Sequence, residues 1–508
     1  METLYFYVLL LGLAWSIFNR YVIPKMRNLP PTPFSPLTLM GYLWFYKQQP
    51  LHRTLSQIAS RYGPILLLQF GCKRVLLVSS SSAAEELFAK NDLLFADRPK
   101  LITGKEFGCN YTSLASAPHD DHWLHLRCVS TLEILPFHRL SGPDGSIADE
   151  VKLLLGGLYR TEKEIVELKS IFLDLVFGVM MKMFAGKRFV EKKMTAKDEQ
   201  IKLLKDYVIC SFRITTGEPD VEYFMPILKF LGLRGLERKC NKLQKQGDAA
   251  MDSLIKEVRK KIPEFSNGSG ETEEKVIEFL LARQKDHPRC YSDKTIRGLL
   301  LVLLSAGTTT SASILEWAFS LLLNHPEVLH KAQSEIDNHV GNDRFLEESD
   351  IEHLPYLRCI VKETLRLYPT APLLVPHESS EDCKVGGYHV PKETMLMVNV
   401  WAIQNDPNIW AEPTKFNPER FREIVDERDG FKLMPFGYGR RSCPGKHMAV
   451  HVITLALGSL IHCFEWERIS EEMVNLSTEQ TGLALLKEQP LMAKCSPRCT
   501  MEKLLRQV

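Results

Sequence analysis

A single cysteine lies in a glycine-rich loop near the carboxyl terminus of the chain, directly before an apolar helical repeat. Cys443 follows Gly439 and precedes Pro444 and Gly445, and apolar side chains then recur at helical spacing as far as Phe464. A cysteine near a helix amino terminus meets unpaired backbone N–H groups and the positive end of the helix dipole, which favour the thiolate over the thiol. The pattern predicts a thiolate that binds a metal ion, and a buried structural cysteine is the alternative.

A second candidate site lies in the middle of a long apolar helix, which we predict from about Ile296 to Leu323. The segment from Ala306 to Ser311 is Ala-Gly-Thr-Thr-Thr-Ser. Small and hydroxylated side chains in mid-helix compete for backbone hydrogen bonds and can bend or open the helix. The segment therefore predicts either a groove for a small ligand or a patch that only allows close helix packing.

Two polar pairs have spacings that place both side chains on one helix face. Trp123 and Arg127 are four residues apart, and Glu363 and Arg366 are three apart. A carboxylate and a guanidinium at this spacing can meet in a bidentate fork. For Glu363 and Arg366 an ordinary solvated pair is the usual outcome of such spacing, so the pattern alone leaves the burial of this pair open.

The length and composition of the chain limit the classes of protein to which it can belong. The chain has 508 residues, a net charge of +2 and twelve cysteines. The charge gives no nucleic-acid signal, and the scattered cysteines indicate reduced thiols rather than a disulfide framework. No linker or charge shift divides the main body, so we expect one catalytic domain over 41–508.

The amino terminus predicts a membrane anchor over 1–28. Residues 3–19 carry no charge and are rich in leucine and aromatic side chains, and Arg20, Lys25 and Arg27 follow. The run approaches the length of one tilted transmembrane helix, and the cations indicate that the body stays cytosolic. A cleaved signal peptide is the less favoured alternative. The proline-rich segment 29–40 predicts a stiff hinge.

Alternating apolar runs at Ile65 to Phe70 and Arg74 to Val78 predict a small early sheet. Long amphipathic stretches dominate from about Glu150 to Val340. The fold class predicted is therefore mainly α with small β-sheets.

The chain resembles the cytochrome P-450 superfamily, and it looks most like plant microsomal members of family 81. Phe436, Gly439, Arg441, Cys443 and Gly445 occupy every fixed position of the haem-binding signature of that superfamily. Further matching segments occur in the family's order, so the resemblance covers nearly the whole chain. It implies the cytochrome P-450 fold, haem b as cofactor and Cys443 as the iron ligand.

The resemblance also implies roles for the other candidate residues. Glu363, Arg366 and Arg420 match a buried network that maintains the fold. Phe436 and Gly445 belong to the cofactor loop. The side chains expected to bind the haem propionates are those of Trp123, Arg127, His377 and Arg441. For His377 the alternative is a loop histidine whose hydrogen bonds are satisfied within the protein.

Thr310 aligns with the threonine that helps deliver protons to bound dioxygen in this family. Immediately before it the family usually has Asp or Glu, whereas this chain has Thr309. A hydroxyl can pass a hydrogen bond along a water chain, but it does not titrate as a carboxylate does. We therefore expect water held by Thr309 and Thr310 to replace the usual acid.

The implied activity is oxygen insertion into a hydrophobic plant specialised metabolite at the endoplasmic reticulum membrane. NADPH-cytochrome P-450 reductase is the expected electron donor, and Arg440 and Lys446 are candidates for a basic face on this chain that docks it. The alternative is that these cations are ordinary solvated surface residues. Substrate contacts are expected from four segments: 107–117, 303–310, 373–375 and 481–483. Two alternatives stay open: oxidative ring coupling or isomerisation without net oxygen insertion, and a non-catalytic haem- or sterol-binding membrane protein.

Overall fold

The computed structural model describes residues 28–33, 50–136, 146–161, 164–186, 196–218, 220–227, 234–265, 275–422, 430–480 and 482–508. The predicted anchor over 1–28 lies outside the described residues apart from Asn28. The predicted hinge over 29–40 is described as far as Pro33.

The described chain is mainly helical, as predicted. Its helices are α1 Leu51–Tyr62, α2 Ser81–Glu85, α3 Ile102–Glu106, α4 Asp121–Cys128, α5 Ser146–Tyr159, α6 Leu168–Ala185, α7 Ala196–Gly217, α8 Val221–Phe224, α9 Gly235–Phe265, α10 Val276–Asp286, α11 Asp293–Asn324, α12 Pro326–Val340, α13 Pro355–Leu367, α14 Val400–Gln404, α15 Lys446–Cys463 and α16 Glu502–Leu505. Wider π-helical turns extend α2 over Glu86–Lys90 and α4 over Val129–Ile134, and 3-10 turns lie at Glu348–His353, Pro418–Phe421 and Gly430–Lys432.

Within the described ranges, three small sheets accompany the helices. The strands are β1 Ile65–Phe70, β2 Lys73–Val78, β3 Ile165–Glu167, β4 His377–Glu378, β5 Cys383–Val385, β6 Tyr388–Val390, β7 Met395–Val398, β8 Phe464–Glu467 and β9 Met492–Pro497. They form sheets of order β1-β2-β7-β4, β3-β9-β8 and β5-β6. The early sheet is confirmed, and its β2 strand pairs in parallel with β7, placing Val78 opposite Val398.

The long apolar helix α11 lies in the protein core. Its amino terminus is capped by Ser292, whose hydroxyl accepts a hydrogen bond from the Thr295 N–H. The helix packs against α6, α7 and α15 and buries side chains along most of its length. By length and composition it is the one candidate for a membrane span among the described residues, but this packing identifies it as a core helix. The helix is unbroken through the Ala306–Ser311 segment.

A buried ion-pair network joins α13 to the segment before the cysteine loop. Arg366 donates from Nε and Nη2 to the two carboxylate oxygens of Glu363, at 2.6 and 2.8 Å, and neither residue is exposed. Arg420 donates from Nε to Glu363 Oε1 at 3.0 Å, and the remaining Arg366 donor, Nη1, bonds the backbone carbonyls of Gln404 and Pro413. The solvated-pair alternative is therefore wrong, and each buried charge is compensated.

Candidate functional site

The cysteine loop closes on itself through backbone hydrogen bonds. The Cys443 N–H donates to the Phe436 carbonyl at 2.8 Å, and the Gly437 N–H donates to the Met434 carbonyl at 3.0 Å. Gly437 and Gly439 have φ of +70° and +72°, a region that L side chains rarely adopt. Cys443 therefore lies just before the amino terminus of α15, as the sequence predicted.

The surroundings of Cys443 have opposing effects on the pKa of its thiol. Burial by the surrounding protein raises the pKa of Cys443, although the residue retains exposed surface. A hydrogen bond from the Gly445 backbone N–H and the positive charge of Arg127 lower the pKa. Both lowering influences stabilise the anion, which is the form of sulfur that binds a metal. Gly445 is the amino-terminal cap of α15, so the start of this helix helps to stabilise the Cys443 thiolate.

Arg127 connects α4 to the cysteine loop. Its Nη1 donates to the Ser442 carbonyl at 2.6 Å, and its Nη2 contacts the Ser442 hydroxyl at 3.4 Å. Burial lowers the pKa of Arg127, and the nearby Cys443 opposes that effect. The guanidinium is thus held beside the residue that immediately precedes the thiol.

Arg441 lies over the indole ring of Trp123, with the guanidinium carbon 4.0 Å from the ring centroid. Its Nε donates to the Ala96 carbonyl and its Nη2 to the Ala117 carbonyl, both at 2.6 Å. Burial lowers the pKa of Arg441 to about 10. Trp123 itself is buried, and its indole N–H already donates to the Leu114 carbonyl at 3.0 Å. In this structure Trp123 therefore supports Arg441 with its ring face.

Sequence reasoning missed a third arginine. Arg98 Nη1 donates to the carbonyls of Val375 and Pro376 at 2.8 and 2.7 Å. Burial, with a smaller contribution from Arg441, lowers the pKa of Arg98 to about 9. A signal existed, since Arg98 is a cation two residues after the apolar run that ends in Phe95 and Ala96.

His377 completes this cluster. The side chain is buried, and Nδ1 lies 2.7 Å from the Phe95 carbonyl, so Nδ1 carries the hydrogen. Burial and then the charge of Arg98 hold the pKa of His377 well below its usual range. Both effects favour the neutral imidazole, with Nδ1 as the hydrogen-bond donor.

The cluster of Arg98, Arg127, Arg441 and His377 fits the carboxylates of haem b. Its described hydrogen bonds go to backbone carbonyls and to the Ser442 hydroxyl. Arg98 Nε and Arg441 Nη1 are buried with no hydrogen-bond partner among the residues that the structure describes. Cations with spare donors next to a thiol are the groups that an iron porphyrin with two propionates requires.

Thr309 and Thr310 of α11 differ in their hydrogen bonding. Thr310 Oγ1 donates to the Ala306 carbonyl at 2.6 Å, one turn earlier, which ties the hydroxyl to its own helix. Thr309 Oγ1 is buried and has no partner within the described part of the chain. The backbone stays helical here, and Gly307 allows the side chain of Met180 on α6 to approach α11 closely.

The segments predicted to contact substrate are described except for Thr481, which lies outside the described residues. Phe107 and Leu303 are buried, and the Phe107 ring packs edge-on against Tyr207 of α7. Leu374 has a φ of +54°, between buried Leu373 and exposed Val375. The sequence-predicted docking residue Arg440 contacts the carboxylate of Asp92 at 3.5 Å, while Lys446 is exposed.

Comparison with known proteins places this site in a known family. The family model described as cytochrome P-450 matches residues 30–495. The chain is 44% identical to cytochrome P-450 81Q32 from Catharanthus roseus over 98% of this chain and 97% of that protein. It is 42% identical to (+)-piperitol/(+)-sesamin synthase from Sesamum radiatum, with 98% of each chain covered.

A further relative is isoflavone 2'-hydroxylase from Glycyrrhiza echinata, which is 39% identical over 97% of this chain and 96% of that protein. Among solved structures, a zebrafish cytochrome P-450 determined with abiraterone superposes with a TM-score of 0.72 at 23% identity. The match covers 88% of this chain and 100% of the zebrafish chain, and it shows a common fold.

Proposed function

Because the chain belongs to the cytochrome P-450 family, whose members are haem b monooxygenases, we propose that it oxidises a hydrophobic plant specialised metabolite. Its electron donor would be NADPH-cytochrome P-450 reductase. The observation that carries the proposal is the thiol of Cys443 held beside Arg127, together with the buried, unused donors of Arg98 and Arg441.

In this proposal Cys443 binds the haem iron as a thiolate, and the loop from Phe436 to Gly445 surrounds the sulfur. Arg98, Arg127, Arg441 and His377 bind the propionates, with Trp123 beneath Arg441. When bound, the haem supplies reductive activation of dioxygen and transfer of one oxygen atom, assisted by the electron-rich thiolate. The chain itself supplies orientation, proton delivery and exclusion of water.

Thr309 and Thr310 would handle protons on the substrate side of the haem. The unpartnered Thr309 hydroxyl can hold a water molecule, and Thr310 can accept a hydrogen bond while donating to Ala306. Turnover of Thr309→Asp and Thr310→Ala tests this role. Product formed per NADPH should rise in Thr309→Asp and fall in Thr310→Ala. Unchanged yields in both variants would show that these threonines take no part in proton delivery.

The substrate class is supported by the names of the relatives and by the lining residues. The relatives include isoflavone hydroxylases and a piperitol/sesamin synthase. Apolar Phe107, Leu303 and Leu373 in the predicted substrate segments favour a ligand with few polar groups. We propose a phenolic, lignan, indolic or terpenoid substrate.

We further propose that residues 1–28 anchor the protein in the endoplasmic reticulum membrane and that 41–508 form one cytosolic catalytic domain. The uncharged run over 3–19 and the cations after it support the anchor. Trimming 1–28 should move most of the protein from the membrane fraction to the soluble fraction, and a wholly membrane-bound product would refute the anchor.

The deciding experiment is co-expression of the full chain with a plant reductase. Reduced protein with carbon monoxide should show the red-shifted absorption of haem-thiolate ligation, and Cys443→Ser should lack it.

A second experiment distinguishes oxygen insertion from ring coupling and isomerisation. Products are analysed after the enzyme is given a mixed library of plant phenolics and terpenoids under isotopically heavy dioxygen. Label in the product indicates oxygen insertion, whereas unlabelled product indicates ring coupling or isomerisation, the alternative that Thr309 keeps open. NADPH consumption absent with every ligand would favour a binding protein.

A further inference from the structure

A stripe of polar side chains runs along one face of the core helix α11. Ser305, Thr309, Ser313, Glu316 and Ser320 follow each other at spacings of three or four residues, which places all of them on the same side of a helix. Thr308, Thr310 and Ser311 lie on other faces of the helix, so the stripe is the one run of polar side chains that continues from Ser305 to Ser320 on a single face.

The middle of the stripe has unused hydrogen-bonding capacity. Ser305 lies 3.2 Å from the Ser211 hydroxyl of α7, and Ser320 donates to the Glu316 carbonyl at 2.7 Å. By contrast, the hydroxyls of Thr309 and Ser313 are buried without a partner in the described ranges, and Ser313 is only 6% exposed. Buried hydroxyls of this kind are normally satisfied by ordered water.

Beyond Ser313 the stripe reaches a buried carboxyl group. Glu316 is 2% exposed, and its Oε1 accepts a hydrogen bond from the Leu491 N–H at 2.9 Å. Burial raises the pKa of Glu316, whereas the hydrogen bond and the charges of Lys169 and Lys487 lower it and Glu167 raises it. A carboxyl in such surroundings binds a proton more readily than one in water.

We propose that Ser313 and Glu316 continue the proton path from Thr309, so that Glu316 supplies the acid that the position before Thr310 lacks. This inference rests on the monooxygenase function proposed above. Side chains one helical turn apart have β-carbons about 5–6 Å from each other, a gap that one water molecule can bridge. Two such steps, from Glu316 to Ser313 and from Ser313 to Thr309, cover a helix rise of about 10 Å.

The transfer balances as a proton relay. The Glu316 carboxyl gives a proton to a bridging water, which passes one to Ser313. A second water passes one to Thr309, and water beside Thr310 carries one to the dioxygen that the reductase's electrons reduce, which takes up the proton. Glu316 becomes a carboxylate and is reprotonated from solvent past Lys169, the partly exposed cation near it. Electrons arrive separately from the reductase, and dioxygen, the co-substrate of the proposed function, takes up both electrons and protons.

A structural role for Glu316 is the competing explanation, because the carboxyl anchors the backbone of Leu491. Glu316→Gln separates the two roles, since the amide oxygen still accepts from the Leu491 N–H but the side chain cannot release a carboxyl proton. Ser313→Ala removes only the hydroxyl between Glu316 and Thr309. Ser320→Ala is the matched control, as it removes a buried hydroxyl from the same helix face on the far side of Glu316.

The experiment uses full-length holoprotein and begins with a readout that needs no turnover. Infrared spectra of wild type minus Glu316→Gln should show the carbonyl stretch of a protonated carboxylic acid at neutral pH. Substrate-free NADPH consumption with reductase is then measured in H2O and D2O, together with hydrogen peroxide release. We expect a several-fold larger share of electrons in peroxide for Glu316→Gln and Ser313→Ala, and wild-type behaviour for Ser320→Ala.

Peroxide shares equal to wild type in both Glu316→Gln and Ser313→Ala would overturn the relay, as would a carboxyl that stays ionised at neutral pH. Samples are normalised by the carbon monoxide band, and if Glu316→Gln does not fold, Ser313→Ala decides the outcome. Failure of the proposed function is distinct, because the wild type itself would then lack that band or consume no NADPH.

Discussion

Arg127 Nη1 donates a hydrogen bond of 2.6 Å to the carbonyl oxygen of Ser442, the residue immediately before Cys443. One arginine on α4 therefore holds the cysteine loop and also places a positive charge near the thiol. The contact joins two parts of the chain that are 315 residues apart. Loop geometry and thiol electrostatics consequently depend on the same side chain.

Replacing Arg127 should weaken haem retention. Arg127→Met removes a hydrogen bond from a charged donor, worth about 1.5–3 kcal/mol, so haem dissociation should accelerate roughly 10- to 100-fold. Transfer of haem to apomyoglobin measures the rate. Arg440→Met is the control, because Arg440 is an exposed cation in the same loop that contacts Asp92. Equal rates for the two variants would show that Arg127 does not stabilise the haem site.

Breaking the buried pair on α13 should destabilise the whole fold. Arg366→Met leaves the Glu363 carboxylate buried with fewer partners, which costs about 3–5 kcal/mol. Lys261→Met breaks an exposed pair with Glu257 on α9 and should cost about 0.5 kcal/mol or less. Chemical denaturation of both variants checks the contrast. A loss for Arg366→Met no larger than for Lys261→Met would contradict the buried-network assignment.

Two glycines of the cysteine loop should respond differently to alanine. At Gly439, φ is +72° and an added β-carbon would lie 2.1 Å from Asp92 Oδ1, so Gly439→Ala should lose about 1–3 kcal/mol. At Gly445, φ is −93° and a β-carbon meets nothing within 4 Å, so the polypeptide should keep its stability. Unfolding of the haem-free proteins tests both expectations. Reduced haem retention in Gly445→Ala alone would support its predicted cofactor role.

Acid should destabilise the protein partly through His52. Burial, with help from Arg53, lowers the pKa of His52 from 6.5 to about 3, so below pH 6.5 the unfolded chain binds a proton that the folded protein excludes. Stability contributed by neutral His52 is present above pH 6.5 and is lost at up to about 1.4 kcal/mol per pH unit as the pH falls towards 3.

His52→Phe keeps an aromatic ring beside Trp401 and removes this proton uptake. Its stability should therefore fall less steeply than that of the wild type between pH 6.5 and 4, as measured by urea unfolding at each pH. Parallel pH profiles would show that His52 is not a source of the acid sensitivity. His377, whose pKa is lowered in the same direction, adds to the loss in both proteins.

The sequence alone identified the features that depend on local pattern. Cys443 with its glycines, the apolar periodicity of α11 and the alternating runs of β1 and β2 each lie within one short segment, where residue type and spacing determine the outcome. The signature residues around Cys443 also indicated the family, which the comparisons confirmed.

Only the tertiary structure decided which polar groups meet and which remain unpaired. Arg98 joins Arg441 and His377 from a distant segment, Trp123 has its indole N–H bonded to Leu114, and the Glu316 carboxyl reaches Leu491. The Arg98 and Glu316 contacts join residues 278 and 175 positions apart, and burial then shifts the pKa of both groups. Spacing along the chain carries no information about such contacts, because packing in three dimensions determines both the partner and the solvent exposure of a side chain.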